Sequence, residues 1–241
     1  MSVPLRFAWT RWVALIGCLC VIVWPLPAQV DPRGAMRTVT MPHLRVHFRA
    51  GQDALARRAA WLAEVAYAQL ARELAPPSGP VDVLLADNVD ASNGYAQLFP
   101  TNRVVIYAVP PITLRELRFH DDWLRLVITH ELAHIFHMDR ARGAWALGRM
   151  LFGRNPLFFP NALTPSWVKE GLAVYYESTL TGSGRLVSTD FPMLARTAVR
   201  DAFVPKPPRW SLSWYPSSSV ATVPQPLAAR LTGSSSACTI H

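Results

Sequence analysis

The sequence predicts an α+β fold, a small mixed sheet packed on helices with one helix at its centre. Three observations predict it. Strand-length apolar runs alternate with a helix-length periodic segment between Leu44 and Val109. A long apolar-periodic run opened by Asp121-Asp122 carries His130-Glu131-Leu132-Ala133-His134. From about 138 to 203 the patterns are mainly helical, which makes a second lobe after an N-terminal α/β part.

The first 28 residues stand apart from that fold. Arg6 and Arg11 form a basic start, Trp12 to Trp24 is an almost unbroken apolar run, and Pro25-Leu26-Pro27-Ala28 reads as a stop before a small-residue cleavage site. The run is shorter than the ~20 residues that span a bilayer. The expectation is a signal peptide over 1–28 and an exported protein, periplasmic or extracellular, with an uncleaved membrane anchor as the alternative. The folded domain is expected over 29–203. A Pro/Ser-rich tail over 204–241 has a composition that buries little.

Composition narrows the function classes. Of 241 residues, 51% are apolar and 17% charged, an ordered chain. The formal charge of +8 comes almost wholly from arginine, since Lys169 and Lys206 are the only lysines. The basic residues are scattered and no nucleic-acid motif accompanies them, so no nucleic-acid binding is expected. The excess suits association with an anionic envelope or membrane surface. Cys18 and Cys20 fall in the expected signal peptide, which leaves Cys238 alone and excludes both an intramolecular disulfide and a cysteine metal site.

Taken in order, Pro32 to Met41 is polar and turn-rich. His43 to Phe48 alternates as a first strand, with His43 and His47 as same-face strand residues rather than ligands. Gln52 to Leu74 has helical apolar spacing before Pro76-Pro77. Val81 to Ala86 is a compact strand, Asp87 to Gly94 a turn-rich loop, and Arg103 to Val109 a further strand. Asp121-Asp122 suits the positive end of the central helix.

Within that helix, His130 and His134 differ by about 40° in direction and about 6 Å in height. Both imidazoles can reach one metal ion, with Glu131 beside it as a potential general base. His137 lies on the same side but about 10 Å beyond His130. A continuous helix cannot bring all three histidines to one ion, so His137 is expected behind the ligands or in packing. Met138 to Leu163 is an apolar, basic insertion, read as a lid, a groove wall, a membrane-facing surface or plain packing over the core.

A hydrolytic zinc site needs three protein ligands and one open position. Thr164-Pro165 reads as a helix start, with Thr164 as N-cap, and Glu170 falls one turn in, with small Gly171 and Ala173 beside it for close helix approach. A lone helical glutamate is ordinarily a solvated residue. The preceding histidine pair and the surrounding Trp167-x-x-Glu170-Gly171-x-Ala173-x-Tyr175-x-Glu177 make it the candidate third ligand.

Together these motifs resemble the gluzincin metallopeptidases (HExxH…E), and more narrowly the peptidase MA-like family of exported bacterial proteins. The resemblance covers roughly Leu44 to Arg200 and implies a zincin-like fold. It implies His130, His134 and Glu170 as ligands of one Zn2+ per chain, Glu131 as catalytic base, and a peptide or protein substrate. It further implies that the strand from Arg103 to Val109 is the edge strand that pairs with extended substrate. The gap of 35 residues between His134 and Glu170 is longer than in familiar members. Asp139 resembles an acidic residue that often follows the motif, and it is expected to orient an imidazole, with direct ligation in place of Glu170 as the alternative. Glu177 is a further candidate for a hydrogen bond within the site, and Tyr175, Tyr176 and Tyr215 are candidate oxyanion donors. Related proteins often continue past this point with more helix and a β-propeller. The expectation is therefore that part of a C-terminal lobe is missing, by truncation or by a frameshift near Ser219.

Two functions follow as expectations. One is an exported zinc metallopeptidase. The alternative is a non-catalytic envelope protein that keeps the zincin fold as a binding module.

Overall fold

Alternating side chains lay one face of a five-stranded sheet on helices. The computed structural model describes residues 35–86, 92–111 and 121–201. The expected signal peptide 1–28, the tail 204–241 and Tyr215 lie outside these residues. The strands are β1 (Met36–Thr40), β2 (Leu44–Arg49), β3 (Val81–Ala86), β4 (Gly94–Gln97) and β5 (Arg103–Tyr107), in the spatial order β1-β2-β3-β5-β4. β2, β3 and β5 are parallel, and antiparallel β1 and β4 form the two edges. In β2, Leu44, Val46 and Phe48 are buried while Arg45 is exposed, the period of two that covers one sheet face.

Helix α1 (Asp53–Leu70) supplies the crossover between parallel β2 and β3, burying Ala56, Ala59, Ala63, Ala66 and Leu70. The central helix α2 (Trp123–Met138) starts at extended Asp122, whose Oδ1 accepts the Arg125 N–H at 3.3 Å, a capping bond that satisfies one orphan donor. Apart from Arg125, every residue from Trp123 to Phe136 is buried. A helix apolar nearly all round belongs in a core. Removing Leu132, which is 0% exposed, to alanine would cost roughly 2–5 kcal/mol. Beyond α2 follow α3 (Ala144–Phe152), two 3-10 turns at Pro156–Phe158 and Pro160–Leu163, α4 (Ser166–Thr181) and α5 (Asp190–Arg200). Ala173 and Tyr176 of α4 join the core cluster that holds Ile128, Leu132 and Phe136. No helix among the described residues is long and apolar enough to cross a membrane.

Several expectations change. Arg103 to Val109 does not supply the edge strand, because β4 pairs outside β5 and takes that position. β4 hides in sequence because Gly-Tyr-Ala-Gln has no apolar alternation and its glycine reads as a turn. The polar start of the domain contains β1, held by its ladder to β2 with little burial of its own. The first helix ends at Leu70, short of Pro76-Pro77. Thr164 does not cap α4: its hydroxyl donates to the Asn161 carbonyl at 2.7 Å, and the helix begins after Pro165. Gly171 has open space at its Cβ position, so Ala173 marks the close contact of α4.

Candidate metal centre

The helical spacing of His130 and His134 puts both imidazoles on one side of α2, where α4 brings Glu170 up to them. The Nε2 atoms of His130 and His134 lie 3.2 Å apart. Glu170 Oε2 lies 3.4 Å from His130 Nε2, and Oε1 lies 3.6 Å from His134 Nε2. Donors bound tetrahedrally at about 2.0–2.1 Å from one ion lie roughly 3.3 Å from each other, so the three side chains fit such an ion. Glu170 Oε2 is buried and accepts no hydrogen bond, as an oxygen aimed at a cation would be. Among the described residues this is the one group whose ligand atoms converge to hold a metal ion.

A buried pair of charges stands behind His130. Its Nδ1 lies 2.7 Å from Glu177 Oε2. A carboxylate can only accept, which assigns a proton to Nδ1 and turns Nε2, the nitrogen a metal ion would take, toward Glu170 and His134. Glu177 is 0% exposed and is held by Arg185, whose Nε donates to Oε1 at 2.9 Å and Nη2 to Oε2 at 2.8 Å. The turn that returns Arg185 requires glycines. Gly182 ends α4 at φ +73°, and at Gly184 (φ +99°) a Cβ would press on Glu177 Oε1 and Ser178 Oγ.

The cluster favours positive charge. Burial by itself would depress the His130 pKa, but the nearby Glu170 carboxylate and the hydrogen bond to Glu177 outweigh it and raise it to about 9. Burial would raise Glu170, yet the imidazoles of His130 and His134 beside its oxygens hold it well below the usual carboxylate range. Glu177 is likewise lowered to about 2, its bonds to His130 and the charge of Arg185 overcoming burial. Glu131 goes the other way: burial raises it, against the positive potential of His130 and His134.

The centre opens on a cleft of about 330 Å³ lined by Asn93, Gly94, Tyr95, Ala96, His130, Glu131, His134, Met138, Lys169 and Glu170. The edge strand β4 thus forms one wall. Gly94 lies against α2 so closely that a Cβ there would stand 2.7 Å from Val127 Cγ2 and 2.9 Å from Glu131 Cγ. Only glycine fits.

The remaining sequence candidates are placed as follows. Asp139 orients no imidazole. It is buried at the C-terminal end of α2, where its carboxylate accepts from Ser78 N and Oγ, Asn102 Nδ2, Arg149 Nη1 and Arg154 Nη1. His137 faces Thr164 Oγ1 at 3.4 Å, and its own carbonyl accepts from Asn161 Nδ2, a packing role. Tyr175 is 48% exposed, and the Tyr176 hydroxyl donates to Glu73 Oε2 at 3.2 Å, so neither tyrosine lines the cleft. His43 pairs with Glu64 and stacks on Tyr67, while His47 bonds Thr38 and Asp82. Sequence reasoning missed Arg185, Tyr95 and Lys169. For Arg185 the signal was the Gly-Ser-Gly turn that folds the chain back onto the helix carrying Glu177.

No model of a known protein family matches the chain, and no curated protein matches it.

Proposed function

We propose that the chain is an exported zinc metallopeptidase of gluzincin type with a zincin-like fold. The observation that carries this reading is the convergence of His130, His134 and Glu170 with Glu131 beside them, on a cleft walled by an edge strand. Two imidazoles, one carboxylate and room for a water are the donor set of a hydrolytic zinc site. Zinc held there supplies Lewis acidity, lowering the pKa of a water and polarising a carbonyl. The protein's own residues do the rest. Glu131, whose carboxyl burial makes more basic, takes a proton from the attacking water and returns it to the leaving amine. Glu177 and Arg185 hold His130 in one tautomer and orientation. The outer backbone edge of β4 can pair with an extended peptide and lay its scissile bond across Glu131. Tyr95 and Lys169 line the cleft and can donate to negative charge developing on the carbonyl oxygen.

The export reading rests on the N-terminal apolar segment. The test is digestion of a peptide library by wild type and Glu131→Gln, with and without a chelator. Cleavage that disappears both in the variant and with chelator is expected. Zinc binding without any cleavage would favour the binding-module alternative, and absence of both would sink the proposal.

A further inference from the structure

The insertion between α2 and α4 raises a question that the metal centre leaves untouched. Of the fourteen large apolar side chains exposed among the described residues, seven fall between Trp145 and Leu163. Helix α3 carries five of them: Trp145, Leu147, Met150, Leu151 and Phe152. At 100° per residue these five spread over an arc of roughly 220°. Its one buried residue is Gly148, pressed against the Phe158 ring. The helix is firmly mounted all the same. The single polar side chain of α3, Arg149, turns inward to Asp139 Oδ1 at 2.9 Å and lies over the Phe159 ring. Arg154, just beyond, reaches the Leu98 carbonyl at 2.8 Å.

We propose that α3 and the turn after it seat the protein on an anionic lipid bilayer. Shape argues for lipid over a protein groove. A groove accepts one apolar stripe of a helix, about 100° wide, whereas the exposed apolar residues of α3 lie on both sides of the covered Gly148 and continue onto Phe158, stacked on Phe152, and exposed Leu157. The boundary between headgroups and hydrocarbon wraps such a helix from several sides. Length argues for seating rather than spanning, because nine residues reach only about 14 Å. Charge argues for anionic lipid. Between Asp139 and Glu170 there is no acidic residue, and with Arg149 and Arg154 turned in to Asp139 the cations beside α3 that can face a surface are Arg140 and Arg142. Arg140 and Arg142 stand at the base of α3 with no carboxylate at ion-pairing distance among the described residues. Exposed apolar side chains with two cations at their base suit the boundary between anionic headgroups and hydrocarbon. The inference does not depend on zinc or on catalysis.

Hydrogen exchange followed by mass spectrometry on the full chain tests it with a local readout, independent of whatever the N-terminal segment does. The probes are vesicles of phosphatidylcholine alone and of phosphatidylcholine with phosphatidylglycerol. Peptides covering 143–159 are expected to slow only with the anionic vesicles, while α1 peptides stay unchanged. Met150→Asp with Leu151→Asp should abolish the slowing, both positions being exposed and so harmless to the fold. Arg140→Gln with Arg142→Gln should raise the lipid concentration for half-protection by roughly thirtyfold, at about 1 kcal/mol per basic residue near the surface. Three results overturn the proposal: no protection with either vesicle, equal protection by phosphatidylcholine alone, or protection that needs no lipid and rises with protein concentration. The last would mark the surface as a contact between copies.

Discussion

Two buried clusters of charge flank α2, and they are built to opposite ends. At its C-terminal end the Asp139 carboxylate has five donors from Ser78, Asn102, Arg149 and Arg154, and neither oxygen is left wanting. Two turns earlier, His130, His134 and Glu170 bring lone pairs and a carboxylate to within about 3.5 Å of one another, and Glu170 Oε2 remains without a hydrogen bond. A satisfied cluster of buried charge fixes geometry, here tying α3 and the Arg154 loop to the end of the sheet. An unsatisfied cluster of acceptors has to be completed by something positive. The difference lies in satisfaction: the Asp139 carboxylate meets two guanidinium groups, whereas Glu170 meets two imidazoles.

Mutation separates the two clusters, most strongly at the metal centre. Glu131→Gln should lower peptide hydrolysis by roughly 10²–10⁴-fold, since it removes a proton carrier and no ligand, while bound zinc measured by elemental analysis stays unchanged. Asp139→Asn should destabilise by roughly 3–5 kcal/mol in denaturant titration, because Arg149 and Arg154 lose their shared carboxylate. The folded fraction of that variant should still bind zinc as wild type does. If Asp139→Asn instead lost metal without losing stability, the division between the two clusters would collapse. Chelator treatment should also lower stability, by about 2.7 kcal/mol relative to zinc at 100 times its Kd. Glu177→Gln should weaken zinc binding by roughly 10–100-fold, as loss of a carboxylate behind a ligating imidazole does, read by competition with a chromogenic chelator. Gly94→Ala should cost roughly 1–3 kcal/mol through the clash with Val127 and Glu131, read as a shift in Tm.

How much of this was legible in sequence follows from how local each signal is. The helix carrying His130 and His134 was readable because ligand spacing, apolar period and the Asp122 cap all act within a few residues. Glu170 was readable from its motif, and the structure brings it to the two imidazoles. Asp139 was misread because its partners lie far off in sequence, at Ser78, Asn102, Arg149 and Arg154, and no local pattern announces them. Arg185 was missed although its turn is local, because nothing in the Gly-Ser-Gly run says that the arginine after it meets the carboxylate eight residues back. β4 escaped because its four residues pair by backbone alone and its glycine, needed for closeness to Glu131, looks like a turn residue. Tyr176 looked available on the motif helix, but its direction is decided by Glu73, in the turn just past the end of α1.

The most direct measurement is zinc stoichiometry by elemental analysis on wild type and His134→Ala purified side by side, with circular dichroism to show that both are folded. One zinc per chain in the wild type and none in the variant is the predicted result. A wild type without zinc, or a folded variant that keeps it, would contradict the assignment of His130, His134 and Glu170 as a metal centre.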